Sequence, residues 1–93
     1  METIEKRELY SQTIEKWGIE AQLWMVVEEC SELLNAIAKY KRGRWGQSAI
    51  LEELADVSIM DEQMSCYFSE ADFIRIKEAR LQRLQRLVQG FSR

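Results

Sequence analysis

Two acidic clusters separated by one short turn constrain this chain more than any other feature. Glu28-Glu29-Cys30-Ser31-Glu32 and Glu52-Glu53-Leu54-Ala55-Asp56 each hold a carboxylate pair at i, i+3: Glu29 with Glu32, and Glu53 with Asp56. On a helix that spacing sets both side chains on one face, about 5–6 Å apart at Cβ. Between the clusters, Lys41-Arg42-Gly43-Arg44-Trp45-Gly46-Gln47 reads as a turn. Helices joined by so short a connection pack antiparallel, so the two pairs can face one another. Four converging carboxylates repel unless a cation sits between them. All-oxygen donor sets of this kind select hard divalent ions, Mg²⁺ first and Mn²⁺ as an alternative.

The rest of the chain supports helices on both sides of that hairpin. It has 46% hydrophobic and 31% charged residues, no proline and four glycines, which is the composition of an all-α protein. A length of 93 residues allows one domain, taken as 1–93. A domain this short buries a modest core, so an antiparallel four-helix arrangement completed by oligomerisation is expected.

Over residues 2–16 the pattern is weakly helical, with Tyr10, Ile14 and Trp17 at i, i+4, i+7. Trp17 reads as a core anchor; the alternative is a residue that stacks on a base at the mouth of a pocket. Residues 19–41 give the strongest helix, with Leu23, Val26, Val27, Cys30, Leu33, Leu34 and Ile37 in one stripe. Glu29 flanks that stripe. Glu32 shares a second strip with Met25 and Ala36, which suggests a partly enclosed groove. Glu28 points more nearly outward, to act from behind the ligands or to bind a further ion.

The third helix is expected over 48–67, with Ser48 as N-cap and an apolar arc of Ile50, Leu54, Val57, Met60, Met64 and Phe68. Glu53 falls inside that arc, where an ionised carboxylate is costly unless paired or bound to a metal. Asp56 is on the edge of the arc. Asp61 lies near the apolar side, as an outer ligand, a partner for Arg or Lys, or part of a subunit contact. Ser69-Glu70-Ala71-Asp72 reads as a capping box opening a fourth helix that runs to about Gln89 and ends at Gly90. Its Ile74, Leu81, Leu84, Val88 and Phe91 are spaced as a coiled-coil seam. Lys77 and Arg80 flank the seam and could reach a phosphate or lie over apolar surface.

Several function classes are disfavoured. The net charge of −3 and the lack of a basic stripe argue against nucleic acid as a partner. The chain has no histidine, and Cys30 and Cys66 form no C-x-x-C pair. Zinc sites, Cys-His or Ser-His catalysis and a Glu-x-x-His di-iron centre are therefore not expected. No apolar run resembles a signal peptide or is long enough to span a bilayer, so no membrane partner and a cytoplasmic location are expected.

Glu28-Glu29-x-x-Glu32 followed by Glu53-x-x-Asp56 resembles the EExxE…ExxD signature of the MazG-like, all-α nucleoside triphosphate pyrophosphohydrolases. The resemblance extends to Trp17-Gly18, Gln22-Leu23, Glu32-Leu33 with Ala36-Ile37, and Glu53-Leu54-Ala55-Asp56-Val57. It reaches more weakly to Ile59-Met60, Gln63 and the Arg80-Leu81…Arg83-Leu84 run, covering roughly residues 17–88. It implies a homodimer or homotetramer in which Glu29, Glu32, Glu53 and Asp56 hold Mg²⁺. It also implies hydrolysis of a nucleoside triphosphate to monophosphate and pyrophosphate, clearing unwanted or non-standard (d)NTPs. Glu28, Glu29 and Glu53 are then the catalytic candidates, with Glu28, or Glu29 before metal loading, as general base. Lys39, Arg42 or Arg44 could neutralise the triphosphate, or simply favour the helix C-terminus. Gln22 could read a base through its amide, with Trp24 or Trp45 stacking on it; the alternative is an ordinary helix residue and packing anchors. A noncatalytic helical oligomerisation or adaptor module is the competing reading, and it would have no need of Glu53 in an apolar arc.

Overall fold

The structure, a computed structural model, describes residues 1–90. Those residues form four helices, α1 (Thr3–Trp17), α2 (Ile19–Lys41), α3 (Gln47–Phe68) and α4 (Glu70–Val88), and no strand. The expected fourth-helix residue Phe91 lies outside the described residues. No described helix is long and apolar enough to cross a membrane.

The connections explain where the helices stop. Gly18 serves both α1 and α2: its N–H donates to Ile14 O at 2.8 Å, and its carbonyl accepts from Gln22 N at 3.2 Å. It does so at φ 83°, ψ 156°, a region open essentially to glycine alone. After α2, Gly43 at φ 73° reverses the chain, with its N–H on Tyr40 O and that of Arg44 on Lys39 O. Helix α3 then begins at Gln47 behind Gly46, which offers no side-chain cap. Ser48 is therefore inside the helix rather than at its cap, because the extended backbone of Gly46 lets the helix start two residues earlier than a serine cap would. Ser69 caps α4 as expected, its Oγ accepting from the Asp72 N–H at 3.2 Å.

Helices α2 and α3 are antiparallel: Gln22 bonds Gln63, while Glu29 lies near Glu53 and Asp56. Helix α1 packs on both, and α4 packs on α3, with the Arg7–Glu70 ion pair reaching it from α1. The buried face of α2 is not the apolar stripe. Gln22 and Ala36 are its buried residues, and Glu29 lies between them. At 3.6 residues per turn this face is rotated by roughly a quarter turn from the centre of the Leu23–Ile37 stripe. Much of the stripe stays uncovered; Val27 is 53% exposed and Leu34 69%. Trp17, expected in the core, is also exposed, with Lys16 Nζ 5.3 Å from its ring centroid. The cause is shared: one chain covers only one face of its central hairpin. Tyr10, Ala36 and Met60 are the buried hydrophobic residues, and the fourth-helix seam residues Ile74, Leu81, Leu84 and Val88 face solvent.

Candidate metal centre

The site lies midway along the α2–α3 hairpin. One carboxylate oxygen from each of Glu29, Glu53 and Asp56 lies within 4.8 Å of the others. Two helices bring them there by different routes. On α2, Glu29 sits two turns after buried Gln22 and two turns before buried Ala36, so it shares the face that meets α3. On α3, Glu53 sits two turns before buried Met60, inside the apolar arc read from the sequence. Asp56 is one turn on from Glu53 and remains exposed.

Two of these oxygens have lost water without gaining a partner. Glu29 Oε2 and Glu53 Oε2 are buried and accept no hydrogen bond. An acceptor that loses water without gaining a partner is disfavoured, the more so when charged. Burial is accordingly the main cause that pushes both carboxyl groups above the ordinary glutamate range. Repulsion adds to it: Glu32, Asp56 and Glu53 act on Glu29, while Glu32, Asp56 and Glu52 act on Glu53. Every neighbour that shifts these two groups is another acid. Among the described residues no lysine or arginine is a cause of either shift.

The donor set is oxygen only, which suits a hard cation. Opposite ligands of an octahedral Mg²⁺ are about 4.2 Å apart, at about 2.1 Å per bond. Only two of three ligands can be opposite and neighbouring ones are about 3.0 Å apart, so three oxygens within 4.8 Å could close on such an ion with side-chain movements of about 1 Å. The residues present therefore fit a divalent ion.

Of the expected metal ligands, the structure brings together Glu29, Glu53 and Asp56. Glu32 is exposed, close enough to raise both glutamates but outside the three converging oxygens. Glu28 is exposed, as its angle on α2 predicts. Gln22 is placed differently from a base-reading residue. It is 6% exposed, and its Oε1 accepts from Gln63 Nε2 at 2.7 Å, so its acceptor is already engaged. Lys39 lies 5.5 Å from the centroid of the Trp45 ring, and Arg42 and Arg44 are exposed in the turn. Trp24 is 70% exposed. Lys77 and Arg80 are exposed on α4, which does not touch α2. Asp61 is exposed beside Met64 at the edge of two apolar grooves.

Sequence reading missed a second polar cluster. Tyr10 donates its hydroxyl to Glu62 Oε2, Lys6 Nζ lies 3.5 Å from the same oxygen, and Arg7 Nη2 lies 2.6 Å from Glu70 Oε1. Here α1 is fastened to α3 and α4. Burial, then the Glu62 hydrogen bond, pushes the Tyr10 hydroxyl up to about 12, whereas the Tyr10 bond, with Lys6, holds Glu62 below its usual range. Glu62 is nine residues from Glu53 and carries no local motif. Its partners come from more than fifty positions away, so only the tertiary fold reveals it.

Compared with protein-family profiles, curated proteins and solved structures, the chain matches none.

Proposed function

We propose that this chain is a divalent-cation-dependent nucleoside triphosphate pyrophosphohydrolase of the MazG-like kind, acting as an oligomer. The observation that carries the reading is the pair of buried, unpartnered oxygens of Glu29 and Glu53, converging with Asp56. A purely structural helix pair gains nothing from such a cluster, whereas a cation would satisfy it. The likeness of Glu28-Glu29-x-x-Glu32 and Glu53-x-x-Asp56 to the pyrophosphohydrolase signature supplies the choice of reaction.

Glu29, Glu53 and Asp56 would hold Mg²⁺ or Mn²⁺, with Glu32 beside them. The bound ion supplies charge neutralisation for the phosphates and a lowered pKa for water. Glu28, outward on the same turn of α2, would accept a proton from a water attacking the α-phosphorus. Lys39 is about 15 Å along the helix from Glu29, so it and the turn arginines would meet the far end of an extended triphosphate rather than the reacting phosphorus. Lys77 and Arg80 have no such placement within one chain.

Assembly follows from surface. The chain exposes 7430 Å² at 11.0 kDa, where a folded monomer of that mass exposes about 5,600 Å². Its radius of gyration is 16.1 Å, against about 12 Å for a compact domain of this length. The excess area is about twice the roughly 800 Å² that each partner buries in a standard interface. A second copy over the uncovered stripe of α2 and the seam of α4 would remove it.

The deciding experiment incubates purified protein with Mg²⁺ and each common NTP and dNTP. Pyrophosphate and monophosphate are assayed, with Glu53→Gln as control. Release that disappears in the control is expected. The exposed apolar faces also suit a noncatalytic oligomerisation or adaptor module. Silence across the panel, with thermal stability indifferent to Mg²⁺ and EDTA, would establish that reading instead.

A further inference from the structure

We infer that the Gln22–Gln63 amide pair is a clasp that sets the register of α2 on α3, and thereby the convergence of the carboxylates. The pair bears no likeness to a surface contact. Gln22 is 6% exposed and Gln63 3%. Their 2.7 Å bond joins two uncharged amides across α2 and α3. Gln22 precedes Glu29 by one heptad, and Gln63 follows Asp56 by one heptad. The amides therefore stand one layer, about 10 Å along the helices, from the acidic layer.

The fully buried apolar residues of the interface specify a register only weakly. Its buried apolar residues are Ala36 and Met60. Alanine fits many positions, and methionine adapts to irregular gaps. The acidic layer is repulsive and drives the helices apart. At one end the Gly43 turn ties α2 to α3, but Gln22 is nineteen residues from the last residue of α2, about 28 Å away. At the open end α1 packs on both helices, with Tyr10 and Lys6 holding Glu62 beside Gln63, and what remains is to fix the register there. A buried hydrogen-bonded amide does this with directionality, because any slip leaves both amides dry and unpaired. A single buried polar residue setting helix register is a known device in coiled coils. The positions at fault in a slipped hairpin would be Glu29, Glu53 and Asp56, so cation affinity should depend on a residue pair that touches no cation. That last step rests on the metal reading above; the register does not.

The test replaces both amides by leucine, Gln22→Leu with Gln63→Leu, in the full chain. Exchanging both partners for apolar groups of similar size leaves stability unchanged or higher. Register is read by electron–electron distance measurement between spin labels at Asn35 and Ser58, with Cys30 and Cys66 changed to serine and labelled protein diluted into unlabelled. The parent should give one narrow distance. The leucine pair should give a distribution broadened or shifted by about one turn, about 5 Å, with Mn²⁺ binding weakened roughly 10–100-fold and no loss of thermal stability. In Gln22→Glu the carboxylate still accepts from Gln63, and the narrow distance should return. Should the leucine pair fail to fold, Gln22→Met with Gln63→Met reads the same distance. An unchanged narrow distribution in the apolar pair overturns the clasp. Absence of Mn²⁺ binding in the parent would sink the metal reading and leave the distance result standing.

Discussion

Glu53 and Glu62 sit on the same helix, both half-buried, and their chemistry runs in opposite directions. Glu62 is surrounded by donors: the Tyr10 hydroxyl and the Lys6 ammonium favour its charge. Glu53 is surrounded by acids and has a buried oxygen without a partner. The first is a completed interaction that fastens α1 to the hairpin. The second is a carboxylate whose neighbours offer it no donor. Burial alone does not distinguish a structural carboxylate from a ligand; the identity of the neighbours does.

That contrast can be broken most severely at the metal centre. Removing the Glu53 charge with Glu53→Gln should abolish Mg²⁺-induced thermal stabilisation while raising the melting temperature of the metal-free protein. Glu62→Gln should do the reverse, leaving the Mg²⁺ increment intact and lowering the baseline. A melting series with Mg²⁺ and with EDTA compares all three proteins, and a Glu53→Gln variant still stabilised by Mg²⁺ would erase the distinction.

The next effect is on the donor side of Glu62. Tyr10→Phe removes the hydroxyl and leaves a half-buried carboxylate short of a partner, which should cost about 1–3 kcal/mol. In a domain of this size each kcal/mol shifts the melting temperature by about 4–8 °C. Urea denaturation would measure it, and Mg²⁺ affinity should not change.

pH separates the two carboxylates by sign. Glu29 and Glu53 have folded values above their unfolded ones. Between those values the folded state holds more protons, so metal-free stability should rise as pH falls through the folded values towards the ordinary glutamate range. Glu62 is shifted the other way; its contribution is present above the ordinary glutamate value and is lost as pH falls below about 4.5 through its folded value. The metal-free protein should therefore be most stable in mildly acidic buffer, and saturating Mg²⁺ should flatten the upper side of that maximum. Stability that climbs steadily up to pH 7.5 without metal would contradict the repulsion in the acidic layer. The smallest effect belongs to Lys6→Ala. That pair is 38% and 45% exposed, and its loss should cost under about 1 kcal/mol.

The four helices were legible because local signals mark them: the glycines at 18, 43 and 46, the Ser69 cap and the unbroken apolar periodicity. Glu53 was legible for a similar reason, since a charge within an apolar arc is a local anomaly. The rotation of α2 was not. A stripe of seven apolar residues predicts a buried face, but which face meets α3 depends on Gln22 and Gln63 finding each other across forty-one positions. Glu32 shows the same limit. Its spacing from Glu29 places it on the correct side of the helix, yet a few tens of degrees of rotation decide between a converging oxygen and a neighbouring charge. The exposure of Trp17 belongs to the partner problem, because periodicity identifies a face to be covered without identifying which chain covers it.

The three tryptophans give the molecule an optical asymmetry. Trp17 is 56% exposed, Trp24 70% and Trp45 44%, so in a lone folded chain every indole already meets water. Unfolding such a chain would change its fluorescence colour little. Only a contact that covered the rings themselves would exclude solvent from them and move the emission to the blue. Intrinsic fluorescence is thus a weak gauge of folding for this chain, and circular dichroism at the helix bands must report it in its place.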